Sequence, residues 1–359
     1  MRLLPALLLL SLGARRAAAL FRVAQLADLH FGEAPSLAWG PEQDRNSSRV
    51  MRNVFAAEAA AGGVDLAVFS GDQITGNNVV DNATDVMREV FAEVAQSGIP
   101  FATIFGNHDD APLDPPRLRG GGGGHRRRRR RRRLSTTTRR QLLDFELAAY
   151  PQLSRTCGNG VAGAASVLPE QCPASASPSV SNHYVLVPNA SAPIAVLYML
   201  DSGGGSFDET LLPAATAWLG AAAAGLATAF GRALPALVFV HIPAPEYLAA
   251  FPGAPGACSG FADDGISPTT GENDLLQVLR AVGSVRAVFT GHDHGNAWCC
   301  AYEALHLCFG RHTGYGGYGT WDRGARVLEL DANASALGGV GVRSYIRMED
   351  GSTNSEQWL

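Results

Sequence analysis

Apolar residues recur along this chain in short runs closed by turn-forming residues, at 21–27, 64–70, 101–105, 194–200, 236–240 and 285–290. Near-continuous apolar runs of this length suit strands buried on both faces. Between several of them lie stretches with helical spacing, at 49–61, 81–96, 211–226 and 273–282. Within 81–96, Val86, Val90 and Val94 fall four residues apart with Phe91 beside them, laying an apolar stripe along one helix face. Strand–helix alternation predicts an α/β domain whose helices cover the sheet faces. After Gly295 the pattern turns strand-like, at 305–309, 326–330 and 341–348, and predicts an antiparallel section completing a second sheet.

The residues that end these runs carry the chemistry. The first run gives way to Asp28-Leu29-His30 and the second to Gly71-Asp72. The third leads into Gly106-Asn107-His108-Asp109 and the fifth into His241. The sixth leads into Gly291-His292-Asp293-His294. Carboxyl ends of strands are where α/β sheets gather ligands. Five of the nine histidines sit at these ends. One such His alone reads as a hydrogen-bonded structural residue, and one such Asp as a helix cap. Five motifs in one order point instead to a shared site. Asp28, His30, Asp72, Asn107, His241, His292 and His294 are more oxygen and nitrogen donors than one metal needs. They suit two metals about 3.5–4 Å apart sharing a carboxylate. Such a pair stabilises charge on a phosphoryl group and lowers the pKa of a bound water. Asp201 also ends a run, but the Ser202-Gly203-Gly204 after it reads as loop shaping.

As a set, these motifs resemble the calcineurin-like metallophosphoesterase superfamily, over nearly the whole chain beyond its first residues. Ala27-Asp28-Leu29-His30-Phe31, Leu200-Asp201-Ser202-Gly203, 241–247 and 314–319 are similar to the short purple-acid-phosphatase-like branch of plants and algae. That branch is related to fungal dosage-dependent cell-cycle regulator phosphatases, and some plant members carry names calling them probably inactive. The resemblance implies a four-layer α/β/β/α sandwich with a dimetal site at one edge of the sheets. By motif position, Asp28, His30, Asp72 and His294 hold the first metal. Asp72, Asn107, His241 and His292 hold the second, with Asp72 bridging. His108 is implied as the general acid and Asp109 as the group fixing its tautomer. True purple acid phosphatases carry a Tyr ligand three residues after the bridging Asp, where this chain has Thr75. Fe, Mn and Zn therefore all remain open. The expected activity is hydrolysis of a phosphomonoester on a small molecule or a phosphoprotein. The alternatives are a phosphodiesterase acting on nucleotides or lipid head groups, and a catalytically silent secreted glycoprotein.

Composition sharpens the domain plan. Hydrophobic residues at 46% and charged residues at 17% exclude a disordered or coiled-coil chain. All 29 basic residues are Arg, and eight of them form the run 126–133. Without that run, 21 basic residues face 33 acidic ones, so the rest of the chain carries −12 rather than −4. A nucleic acid as a specific partner is not supported. Pro, Gly and Arg make 112–138 a disordered surface insert. Residues 1–19 combine Arg2, a short apolar core and Ala17-Ala18-Ala19, the pattern of a signal peptide too short to span a bilayer. The domain is then 20–349, with 350–359 as a tail and no further membrane-spanning stretch. Sequons at Asn46, Asn82, Asn189 and Asn333 fit the secretory pathway, in the extracellular, vacuolar or endomembrane lumen. Six cysteines allow 15 connectivities; the local pairings are Cys157–Cys172 and Cys299–Cys308. His183 and His306 read as structural. His312 and 313–319 read as pocket lining, with Tyr315 and Tyr318 packing within that loop.

Overall fold

The computed structural model describes residues 20–359 apart from 80, 113–136, 159–167, 174–179, 190–191, 252–257, 271–273 and 335–338. The expected leader and nearly all of the expected insert lie outside the described residues. In chain order the strands are β1 (Leu20–Leu26), β2 (Leu66–Ser70), β3 (Phe101–Ile104), β4 (His183–Val187), β5 (Ala195–Leu200), β6 (Ala236–Val240), β7 (Cys258–Ser259), β8 (Val285–Thr290), β9 (Cys299–Tyr302), β10 (Leu305–Phe309), β11 (Gly324–Asp331), β12 (Gly341–Met348) and β13 (Thr353–Trp358). The helices are α1 (Trp39–Ala61), α2 (Ala83–Val90), α3 (Ala92–Ser97), α4 (Arg139–Ala149), α5 (Pro213–Phe230), α6 (Tyr247–Ala250) and α7 (Leu275–Val282).

Two mixed sheets stack face to face. One runs β13-β12-β11-β1-β2-β3 and the other β4-β5-β6-β8-β10-β9-β7. In the first, β1, β2 and β3 are parallel; in the second, β5, β6, β8 and β10 are parallel. The apolar runs are buried on both faces because each strand splits its side chains between two cores. Leu66 and Val68 of β2 meet Leu237 and Phe239 of β6 between the sheets. Ala67 and Phe69 turn outward under α1 and α2. Ala236, Val238 and Val240 turn outward under α5 and α7. The result is a four-layer α/β/β/α sandwich.

Several elements differ from the sequence expectation. The run 81–96 breaks into α2 and α3 at Phe91, whose ring packs between Phe69 and Phe101 at centroid distances of 5.1 and 4.6 Å. The late strands do not form a separate section: β10 joins the second sheet beside β8, and β11 and β12 join the first beside β1. Residues 350–359 are not a tail, because β13 pairs antiparallel with β12 as the sheet edge. Helix α5 is long and apolar enough to cross a membrane by length and composition. Its Ala215, Trp218, Leu219, Ala222 and Leu226 pack instead into the core over the second sheet. Cys157–Cys172 and Cys299–Cys308 pair as expected, and Cys258–Cys300 is a third disulfide. The last two join residues directly opposite one another on β9–β10 and β7–β9.

Candidate metal centre

Strands of both sheets end at one edge. The ends of β1, β2 and β3 deliver Asp28, His30, Asp72 and Asn107 from one sheet. The ends of β6 and β8 deliver His241, His292 and His294 from the other. Turning each side chain inward takes unusual backbone: Asp28, His30, Asp72 and His292 all have positive φ, between 50° and 75°. Strain of this kind, about 1–3 kcal/mol per residue, collects at functional sites. The glycines in the motifs give clearance. A Cβ on Gly106 would lie 2.2 Å from Asp72 Oδ1, and one on Gly71 would lie 2.3 Å from His241 Nδ1.

Asp72 sits at the middle. Its Oδ1 accepts from the His108 main-chain N–H at 2.7 Å. Its Oδ2 lies 3.6 Å from His30 Nε2 and 3.2 Å from His241 Nε2. On one side, His294 Nε2 lies 3.2 Å from His30 Nε2 and 3.8 Å from Asp28 Oδ1. On the other, Asn107 Oδ1 lies 3.2 Å from His241 Nε2 and 3.0 Å from His292 Nδ1. Main-chain carbonyls fix two tautomers. His294 Nδ1 donates to Tyr318 O at 2.9 Å, and His241 Nδ1 donates to Ser70 O at 2.9 Å. Each ring therefore turns its Nε2 inward, the orientation of a metal-ligating imidazole.

The electrostatics agree. Burial holds His30 well below its usual range, His294 at about 4 and His292 at about 3, so these rings are neutral. Burial also pushes Asp28 up to about 7, with Asp72 adding to the push. Burial works against charge on His241 too, but Asp72 and Asp28 outweigh it and hold the ring at about 10. Facing lone pairs and crowded carboxylates form a nest that wants positive charge. Asp28, His30 and His294 form one group whose ligand atoms lie within 4.8 Å of one another, and Asp72, His241 and His292 form a second. With Asn107 Oδ1 beside the second, the donors fit two cations.

His108 joins His30 and Asp72 in a third such group, and its ring meets His30 edge-on at 4.8 Å. Asp109 does not hold that ring. Its Oδ2 accepts from the main chain of Gly106 at 2.7 Å and Asp72 at 3.0 Å, and its Oδ1 from Ile74 at 3.1 Å. Fully buried, it spends both oxygens on the turns that carry Asp72 and Asn107. His312 is buried behind the site rather than lining it, with its ring centroid 4.0 Å from that of His294. His183 is buried in β4 with Nδ1 donating to Ser181 O at 2.8 Å, away from the donors. Tyr318 does more than pack within its loop: it lines the cavity and stacks on His294 at 4.1 Å.

Sequence reasoning passed over one supporting residue altogether. Arg139, 1% exposed, donates to Asp110, to Asp201 and to the carbonyls of Gly106, Gly203 and Gly204. Asp201 shapes its loop through this contact, as well as through Ser181 and the Gly203 N–H.

A family model described as Calcineurin-like phosphoesterase matches residues 21–296. The chain belongs to the calcineurin-like phosphoesterase family. Among curated relatives, "Probable inactive purple acid phosphatase 29" of Arabidopsis thaliana is 28% identical over 357 residues, covering 92% of this chain and 82% of the relative. "Phosphatase DCR2" of Saccharomyces cerevisiae is 25% identical, over 88% of this chain and 52% of that longer protein. Two solved structures share the fold. A dimetal phosphatase from Danio rerio has a TM-score of 0.56 at 15% identity, covering 95% of this chain and 99% of its own. A purple acid phosphatase from yellow lupin (Lupinus luteus) seeds has a TM-score of 0.51 at 12% identity, covering 95% of this chain and 53% of its own. The calcineurin-like phosphoesterase fold implies a dinuclear metal site, and the two donor groups here suit one.

Proposed function

We propose that this chain is a dimetal phosphomonoesterase. The observation that carries the reading is Asp72 Oδ2, placed between two complete donor groups with no donor missing. Asp28, His30, Asp72 and His294 would hold one ion. Asp72, Asn107, His241 and His292 would hold the other. When bound, two such cations (Fe, Mn or Zn) supply Lewis acidity to a phosphoryl group and make water a nucleophile near neutral pH. His108 sits at the cavity wall with no hydrogen bond to its ring among the described residues, free to hand a proton to the departing oxygen. Thr75 lines the same cavity with its buried hydroxyl unpartnered, and that hydroxyl can bond a phosphoryl oxygen. Three disulfides and the exposed positions of Asn82, Asn189 and Asn333 support a secretory-pathway setting, with Asn46 half-buried.

The test is phosphate release from p-nitrophenyl phosphate after reconstitution with Mn, Fe or Zn, with metal content measured alongside. Asp72→Ala is expected to fall to background. Protein that retains no metal, or full activity in Asp72→Ala, overturns the reading.

A further inference from the structure

Above the donors lies a cavity of about 610 Å³ whose charge is one-sided. Among the described residues its lining carries Glu33, Asp72 and Asp293 and no Arg, and the chain contains no Lys. Asp72 is spoken for by the metal donors, but Glu33 and Asp293 are not. Glu33 accepts from Gln43 Nε2 at 3.1 Å and from the Gly317 main chain at 2.8 Å. Asp293 accepts from the Ser267 main chain at 3.2 Å on each oxygen. These donors are neutral, so they order the carboxylates without supplying a counter-charge. Neither has an ion-pair partner among the described residues. The half-exposed Tyr318 adds an aromatic face to the wall, and its hydroxyl donates to a further carboxylate, Asp264.

We propose that the site selects phosphomonoesters whose leaving alcohol is uncharged or cationic, and turns away those bearing additional phosphate or carboxylate groups. The inference rests on the phosphomonoesterase reading above. Two cations at the floor of the cavity answer the charge of the reacting phosphoryl group alone. Everything beyond that group faces Glu33 and Asp293. In a partly desolvated cleft, each like-charge pairing at side-chain distance costs on the order of tenfold in binding or rate. An aryl ring or an ammonium group meets no such penalty and gains the face of Tyr318.

The experiment compares kcat/KM for phenyl phosphate, phosphoethanolamine, ATP and fructose 1,6-bisphosphate on the metal-loaded protein. The first two are expected to exceed the last two by at least about tenfold at low salt. The gap is expected to close as ionic strength rises and the Debye length shrinks from about 30 to about 3 Å. Glu33→Gln, which keeps the shape and the acceptor, is expected to narrow the gap severalfold at low salt by improving the anionic substrates. Equal or better turnover of ATP overturns the selectivity alone, as does a gap that neither salt nor Glu33→Gln moves. Turnover of none of the four overturns the hydrolase reading itself.

Discussion

Arg139 is where the site's support can be measured. Its guanidinium is fully buried, with Nε 3.1 Å from Asp110 Oδ1, Nη1 on Asp201 and Nη2 between 2.8 and 2.9 Å from three carbonyls. Arg139→Met keeps the stem and removes every one of these bonds. Two carboxylates and three carbonyls are then left in a dry interior. Removing one partner of a buried ion pair costs about 3–5 kcal/mol. Unfolding entropy of about 2.1 cal/mol/K per residue, over a folded body of about 300 residues, gives about 0.6 kcal/mol per degree. Melting is therefore expected about 5–8 °C lower. Burial already pushes the Asp201 carboxyl upward, and Arg139 is what pulls against that. Without Arg139 this carboxyl takes up a proton more readily, so the deficit is larger at pH 8 than at pH 5. Thermal melts of both proteins at the two pH values check the size and the sign. A shift of under about 2 °C at pH 8, or a deficit that grows on acidification, refutes the reasoning.

Two further outcomes follow from named groups. His108→Ala is expected to lower kcat by about 10²–10⁴ on an alkyl phosphate and far less on p-nitrophenyl phosphate, whose leaving group needs no proton. Equal losses on both would remove His108 from proton donation. His183 is held down at about 4 by burial, against the pull of the Ser181 carbonyl. Its folded pKa lies below the unfolded value of about 6.5, so the unfolded state binds the extra proton between them. Stability from this group is intact above about 6.5 and is lost as pH falls toward 4, by about 3 kcal/mol in all. His183→Gln is expected to flatten that part of the pH profile in urea titrations of metal-free protein. Parallel profiles would contradict the assignment.

The metal donors were legible because each lies within a few residues of a buried strand's end. Strand burial is a local property of apolar runs, and parallel sheets bring those ends to one edge. What stayed hidden depends on partners distant in sequence or on polar elements. Strand β13, Thr-Asn-Ser-Glu-Gln-Trp, is a half-exposed edge with no apolar run to reveal it. Helix α4 begins with a Thr138–Gln141 capping box, a signal masked by the low-complexity run before it. Asp109 was assigned to the His108 ring by motif position. The N–H groups of Gly106, Asp72 and Ile74, brought from two separate strand ends, surround its carboxylate instead. Tyr318 gave no separate signal, because its carbonyl, its ring and its hydroxyl reach His294 together only in the folded loop.

Asp109 and Arg139 meet at the same residue. Asp109 takes the N–H of Gly106 and Arg139 takes its carbonyl, so the residue before Asn107 is clamped from both sides. A glycine is required there because Asp72 leaves no room for a Cβ. The clamp supplies the rigidity that the glycine forfeits. The same contacts join the two described points that flank the Gly/Arg-rich stretch of the sequence. The chain leaves the site at Asp110 and returns at Arg139, and those two side chains bond each other directly. Loss of Arg139 removes this bond and the clamp together, which couples metal retention at the Asn107 side to the melting deficit. A variant that melts lower yet keeps both metals would show that Asp109 alone suffices to hold the turn.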